Sequence, residues 1–303
     1  MLSFLIPTYN FNCLSLVSDL YAQCEQLIVS DTSFTYEIII VDDGSPDVSV
    51  VEELMTGIRN LKSQYVKLIP LIKNVGLAAA RNVLLREAKG EWVVFIDSDA
   101  AVITNDFVSN YWQHRNAADA IVGGIKHPNV IPFGYELRIA YERSYEKKRS
   151  LEWRKQHPYA IFSAFNLMMR KEVIERYGFD EHCREYGYED FLLGVALESD
   201  GVKVEHIDNP LLHTGIDTSE VFLKKAETGV RTLLNLPVEL REKVGLAIYA
   251  ERLRKLRIAP VVKCVLKTFH PILRKQLLSA RPCILLFQLY KLGAYLNGDK
   301  KGC

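Results

Sequence analysis

An α/β fold built on a mostly parallel sheet, with helices on both faces and a helical C-terminal extension, is what this sequence predicts. Three features predict it. The first hundred residues alternate between short apolar runs and helical patterns. Those apolar runs are continuous and do not alternate with polar residues. Beyond residue 217 only helical patterns remain. Unbroken apolar strands need cover on both faces, which crossover helices on a parallel sheet supply.

The first strands are expected at residues 2–6, 37–41, 66–71 and 92–96, with crossover helices at 14–28, 48–61 and 77–88. In such a sheet the ligand crevice lies at the carboxyl ends of the strands. The first strand delivers Pro7, Thr8, Tyr9 and Asn10 there, and the second Asp42, Asp43, Gly44 and Ser45. The third delivers Lys73, Asn74 and Gly76, and the fourth Asp97, Ser98 and Asp99. Turn chemistry explains one or two loops of this kind. Four acid- or amide-rich ends on one edge point to a ligand.

Further along, residues 120–124 read as a strand and 135–153 as a helix or a mobile loop. Residues 162–181 read as a strand, a short helix and a glycine turn. A helix follows from Glu189, closing at Gly201, and a late strand at 203–207 ends near His213. Two domains are expected, 1–217 and 218–303. Pro260, Pro271 and Pro282 are expected to break the second into short helices.

Composition narrows the function classes. Hydrophobic content of 49% and charged content of 25% are ordinary for a globular chain. A net charge of +1 implies neither a nucleic acid nor a strongly acidic partner. That average hides an asymmetry. Residues 251–303 carry twelve Lys or Arg against Glu251 and Asp299, a local charge of +10, which leaves −9 for residues 1–250. Cysteines 13, 24, 183, 264, 283 and 303 form neither a CxxC pair nor zinc-ligand spacing, so free thiols of a reducing cytoplasm are expected. The start, "MLSFLIPTYN", has no basic region or cleavage site typical of a secretory signal. No apolar run approaches the ~20 residues of a membrane span.

The stretches "SFLIPTYN", "IIIVDDGSPD", "NVGLAAARN", "FIDSDA" and "GYEDFLL" occur here in an order that resembles family 2 glycosyltransferases. The resemblance covers residues 2 to 214. It implies the GT-A fold, a Rossmann-like mostly parallel sheet, and inverting transfer of a sugar from a nucleoside diphosphate.

Each motif also has a chemistry of its own. In Asp97-Ser98-Asp99 a small central serine lets two carboxylates approach one point, an arrangement that burial penalises unless a cation lies between them. Mg²⁺ and Mn²⁺ take one or two carboxylates plus substrate phosphates. An acidic turn capping the next helix is the plainer alternative. The resemblance implies that Asp99 binds Mn²⁺ or Mg²⁺ directly, that Asp97 contacts the ribose or the metal through water, and that Ser98 joins the donor site.

A carboxylate at Asp42 or Asp43 can accept the N3–H of uracil or thymine. Guanine N1–H would serve as well, and an Asp-Gly-Ser turn uses an acid too. The chemistry leans to a UDP-sugar; the resemblance implies that one acid of the pair contacts the base and leaves open which. Pro7, Thr8, Tyr9, Asn74, Gly76 and Arg81 complete the implied donor site. Arg81 lies one turn into the helix, where it can reach the nucleotide or hold an aspartate.

Glu189 and Asp190 head a helix whose dipole favours acids in any case. Inverting transfer needs a base on the acceptor hydroxyl. In similar enzymes the second acid of the pair does this work, which implies Asp190 as base and Glu189 as its orienting neighbour. His213, in "NPLLHTG", is a candidate third metal ligand or a structural histidine. Asn166, in "AFNLMMR", is the polar candidate for the acceptor side.

The expected activity is metal-dependent addition of single sugars to a hydroxyl of a glycan or lipid-linked glycan, in a bacterial surface polysaccharide pathway. Neither a QxxRW-like motif nor membrane spans suggest processive synthesis. A dinucleotide-binding oxidoreductase is disfavoured because the first turn reads "PTYNFN" and lacks GxGxxG. A catalytically inactive, nucleotide-binding scaffold of the same fold is the second reading. The basic extension fits an anionic membrane surface, and with it peripheral attachment of a cytoplasmic protein. Packing of its apolar stripes on protein is the other option.

Overall fold

The computed structural model describes residues 1–128, 130, 132–183 and 187–299. Strands β1 (Leu2–Thr8), β2 (Tyr36–Asp42), β3 (Val66–Pro70) and β4 (Trp92–Ile96) alternate with helices α1 (Leu14–Ser30), α2 (Val48–Asn60) and α3 (Leu77–Glu87). The chain continues through β5 (Ala100–Ala101), α4 (Phe107–His114), β6 (Ala120–Val122), β7 (Ile125–Lys126), α5 (Glu136–Ser144), α6 (Glu146–Arg149) and α7 (Leu151–Gln156). Next come β8 (Asn166–Arg170), α8 (Lys171–Tyr177), α9 (Glu189–Ser199), β9 (Val204–His206) and β10 (Leu211–His213). The last elements are α10 (Ser219–Asn235), α11 (Val238–Arg241), α12 (Gly245–Lys255), α13 (Ala259–Leu277) and α14 (Ile284–Gly298).

Seven strands form one sheet in the order β3-β2-β1-β4-β8-β6-β9, in which β8 alone runs antiparallel to its neighbours. The continuous apolar strands are explained by burial on both faces. Along β1, β2 and β4, Leu2, Phe4, Ile6, Tyr36, Ile38, Ile40, Trp92, Val94 and Ile96 face one core, which α1, α2 and α4 cover. The intervening Leu5, Ile39, Val41, Val93 and Phe95 face a second core under α3, α8 and α9. A period of two thus divides residues that look uniform in sequence. The chain leaves β1 toward β2 and β3, then returns to place β4 on the other side of β1. That reversal is the switch point where open α/β sheets form their crevice.

Strands β5, β10 and β7 form a small second sheet. It went unforeseen because two- and three-residue strands carry no usable periodicity. Residues 135–153, expected as a helix or a mobile loop, are α5, α6 and the start of α7.

The chain divides into two units, although not by a single cut at residue 217. The first comprises Met1–Pro128, Lys148–Arg184 and Glu189–Gly215; the second takes Asn129–Lys147, Glu185–Tyr188 and Ile216–Cys303. The second unit has its own core of Leu137, Phe222, Leu223, Leu277, Phe287 and Tyr290. Buried Asp299 anchors it, accepting from Arg254 Nη2 at 2.7 Å.

One expectation about this unit is corrected. Pro271 does not break the chain; it lies inside the 19-residue α13, and Pro260 sits in that helix's first turn. Proline fits a first turn, where its missing N–H is unneeded. Pro271 and Lys267, whose carbonyl would otherwise accept from residue 271, are both exposed, which leaves that acceptor open to solvent. The five described cysteines are free thiols; Cys303 lies outside the described residues, as do Lys300 and Lys301.

Candidate active site

The site assembles at the carboxyl ends of β1, β2 and β4. Thr8 and Asp42 are partners in the β1–β2 register. Ser45 ties the two strand ends together: its Oγ accepts from Asn10 N–H at 2.7 Å and donates to Asp42 Oδ1, while its N–H donates to Asp42 Oδ2 at 3.1 Å. Thr8 Oγ1 donates to Phe11 O at 2.7 Å. Asp43 reaches the other way, accepting from Val75 N–H at 2.7 Å and Gly76 N–H at 3.0 Å. Burial raises its pKa, opposed by those two N–H groups.

Glycine is required at two places here. Gly44 has φ +66°, and a Cβ on it would lie 2.3 Å from the Lys73 carbonyl carbon. Gly76, with φ +93°, caps α3. Lys73 and Asn74 are exposed beside this crossing, and Tyr9 is exposed at the end of β1, whereas Pro7 is buried.

Arg81 is the centre of the arrangement. Buried Ala78 and Ala80 let α3 press on the sheet, which brings Arg81 under the strand ends at 1% exposure. Its Nη2 donates to Asp97 Oδ1 at 2.7 Å and its Nη1 to Asp190 Oδ1 at 2.9 Å; Glu189 Oε1 lies 3.9 Å from Nη1. Phe179 backs the guanidinium, 5.1 Å from ring centre to Cζ. Arg81 therefore takes the second of the roles open to it in sequence, holding aspartates.

Asp190 is fully oriented: Oδ2 accepts from Ser163 Oγ and Ala164 N–H, both at 3.0 Å. Glu189 beside it is mostly buried, and its Oε2 has no hydrogen-bond partner among the described residues. Burial first, then the charge of Asp190, pushes its pKa up to about 7. Asp97 is also raised, by burial above all, against the pull of Arg81.

The second acid of the Asp-Ser-Asp turn points elsewhere. Asp99 Oδ2 lies 3.0 Å from His213 Nε2, and Thr214 fixes the Asp99 carbonyl through N–H at 2.8 Å and Oγ1 at 2.7 Å. The β5–β10 pairing makes this possible by setting His213 opposite Ala100. Gly215 packs so closely that a Cβ would sit 2.3 Å from Asp99 Oδ2. The His213 ring stands edge-on to Phe165 and His127.

Among the described residues no group of three His, Cys, Asp or Glu side chains is placed to hold a metal. Asp99 and His213 offer two donors 3.0 Å apart, the spacing of adjacent ligands on an octahedral cation with bonds of about 2.1 Å. This donor set fits Mg²⁺ or Mn²⁺ completed by substrate oxygens.

Asn166 needs correction. It is 1% exposed, and its amide is engaged on every side: Oδ1 accepts from Tyr111 Oη at 2.6 Å, and Nδ2 donates to Gly124 O at 3.0 Å and Asn209 O at 2.8 Å. It braces β8 against the following loops and has no face left for an acceptor. Ser163, Thr214, Gly215 and Phe179 were missed by sequence reasoning. Thr214 and Gly215 were readable from their place beside His213, whereas Ser163 and Phe179 carry no local signal.

Residues 3–178 match the profile of glycosyl transferase family 2, more than half of the chain. Chondroitin synthase of Escherichia coli is 28% identical over 247 residues, 70% of this chain and 34% of the synthase. An uncharacterized glycosyltransferase of Haemophilus influenzae is 35% identical over 113 residues, 36% of this chain and 38% of its own. The chain thus spans little more than a third of either relative. Among solved structures, the mannosyltransferase PcManGT from Pyrobaculum calidifontis in complex with GDP-Man and Mn²⁺ superposes with a TM-score of 0.55. At 16% identity, covering 99% of this chain and 88% of that one, it shares the fold. The match across 3–178, more than half of the chain and including the strand-end loops through Asp99, decides the matter: the chain belongs to glycosyltransferase family 2.

Proposed function

We propose that the chain transfers single sugars from a UDP-sugar to a hydroxyl of a glycan or lipid-linked glycan, inverting the anomeric carbon, with Mn²⁺ or Mg²⁺ as cofactor. One observation carries this reading. Buried Arg81 joins Asp97, at the end of a sheet strand, to Asp190, at the head of a helix 93 residues later in sequence. A nucleotide-binding scaffold has no need of a second acid held there.

In the reaction the acceptor oxygen attacks the anomeric carbon while the bond from that carbon to the diphosphate breaks. Asp190 takes the acceptor proton; Ser163 and Ala164 fix its Oδ2, and Arg81 its Oδ1, so the carboxylate needs no reorganisation. Asp99 and His213 would hold the cation, which supplies Lewis-acid neutralisation of the departing diphosphate. Thr8, Asp42, Asp43, Asn74 and Gly76 border the nucleotide, with Pro7, Tyr9 and Ser98 at its edges. Two lone pairs on the Asp42 carboxylate remain unspent after its bonds to Ser45. They suit an imide N–H, and uracil is our choice over guanine. Glu189 orients the acceptor side. Similarity to a bacterial chondroitin synthase supports a polysaccharide setting, and we infer a cytoplasmic location at the membrane face.

Thermal unfolding with UDP, GDP, CDP and dTDP, each with and without Mn²⁺ or Mg²⁺, tests this. A ligand bound only by the folded chain raises its melting temperature. We expect metal-dependent stabilisation by UDP. The same response to GDP would replace the base, and a flat response across the panel would remove the enzyme reading.

A further inference from the structure

Helix α13 carries two apolar stripes, and its own unit covers one. Ala259, Leu266 and Leu277 are buried, with Leu273 partly so, and Leu266 meets α14 where Gly293 lets the helices approach; a Cβ there would be 3.2 Å from Leu266 Cβ. The second stripe begins at the cap residue Ile258 and runs through Val261, Val265, Phe269 and Ile272. It repeats at intervals of three and four and so lies along one helix face for about 21 Å. These residues are 43%, 66%, 48%, 49% and 63% exposed. Leu256, before the helix, and Leu285, in the first turn of α14, are 68% and 69% exposed. A contiguous apolar face of this kind marks an interaction surface.

Charge selects the occupant. Residues 252–298 contain ten Lys or Arg and no Asp or Glu. At 100° per residue Lys275 borders the exposed stripe. Arg274 lies beside Lys275 and already pairs with Glu220 at 2.7 Å, whereas Lys263 and Lys267 fall beyond the packed face. A second copy laid on this face would bring two basic helices together. An anionic partner with an apolar interior satisfies both features. Among the described residues no helix is long and apolar enough to cross a membrane, so α13 would lie in the interface plane.

We propose that the exposed face of α13 docks on an anionic lipid bilayer, with Val261, Val265, Phe269 and Ile272 entering the boundary between headgroups and chains. The basic charge of the segment draws it to the surface. This attachment does not depend on the transferase reading. Its failure would leave that reading to the nucleotide stabilisation experiment.

The test is co-sedimentation of the full chain with phosphatidylcholine vesicles prepared with and without phosphatidylglycerol, at low and high salt. A variant with Val265→Glu and Phe269→Glu is run beside it. Both positions are exposed, so the variant should keep its melting temperature and its stabilisation by nucleotide. We expect binding to the anionic vesicles alone, falling with salt and weakened on the order of tenfold or more in the variant. Absence of binding by the parent overturns the proposal, as does equal binding by the variant or equal binding to neutral vesicles. If sedimentation velocity shows a dimer in the parent and a monomer in the variant, without vesicle binding, the occupant is a second copy.

Discussion

Two pairs of acids sit on the same edge of the sheet and are held in different ways. Asp42 and Asp43, at the end of β2, take their hydrogen bonds from Ser45, Val75 and Gly76, neutral donors fixed by the course of the chain. Asp97 and Asp190 share one buried cation, Arg81, and have no such main-chain frame in common. The first pair defines shape: its donors keep their places whatever charge arrives. The second pair is coupled, because a charge change at either acid alters what Arg81 offers the other. In the function we propose, that difference separates a rim that recognises a nucleotide from a centre that links leaving-group departure to proton removal.

The largest test of this contrast is Arg81→Met. It leaves Asp97, Asp190 and Glu189 facing one another without a counter-charge, and breaking a buried pair in this way costs about 3–5 kcal/mol. Urea unfolding should show that loss, together with loss of transfer. Arg81→Lys should rescue little, because one ammonium cannot fork to two carboxylates. A cost below about 1 kcal/mol, the level of a surface pair, would mean that water already screens the acids, and the contrast would collapse. Asp190→Asn comes next. The amide oxygen can still accept from Ser163 and Ala164, while its Nδ2 faces Arg81 Nη1 at a cost of about 1–3 kcal/mol. The fold should bear that loss, and stabilisation by UDP with metal should survive. Transfer should fall by roughly 10²–10⁴-fold, the usual worth of a positioned base. Persistent transfer would move the base elsewhere.

Much of this was legible in sequence, and for a physical reason. Strands buried on both faces must be apolar throughout, so β1, β2 and β4 stood out, and whatever follows a buried strand at the crevice must be polar to be useful. Asp97 and Asp99 were therefore visible as candidates, whereas Asp190, at the head of a helix, was named through the resemblance. Arg81 and His213 were candidates too, but which acid each would meet was not legible. For Arg81 the sequence left two roles open, and only the packing of α3 beneath the strand ends chooses the holding of Asp97 and Asp190. His213 meets Asp99 through two-residue strands whose pairing no local pattern encodes. Asn166 misled because a polar residue in an apolar strand suggests a ligand contact, whereas Tyr111, Gly124 and Asn209 consume its amide.

Glu189 sharpens the contrast through pH. Its carboxyl rises from 4.5 to about 7, chiefly through burial. Between those values the folded chain binds a proton that the unfolded chain has released, so this group's contribution to stability falls as pH rises from about 4.5 to about 7 and is level above that. Glu189→Gln should remove the fall, worth on the order of 1–3 kcal/mol between pH 5 and pH 8. Melting temperatures of parent and variant across that range would check it. Parallel curves would show that Glu189 is already ionised and solvated.

The smallest effect belongs to the framed pair. Asp43→Asn keeps one oxygen to accept from Val75 or Gly76 but turns an amide donor toward the other N–H. One hydrogen bond is lost and two donors face each other, for about 1–2 kcal/mol. Because the neighbouring donors are neutral main-chain groups, the change should leave the pH dependence assigned to Glu189 untouched. Stabilisation by UDP should weaken through displacement of the loop at Gly76, with the response to metal preserved. Urea unfolding at pH 5 and pH 8, with and without UDP and Mn²⁺, reads all three. If Asp43→Asn instead abolished the metal response, charge at the rim would be coupled to the centre, and the two pairs would be one electrostatic unit.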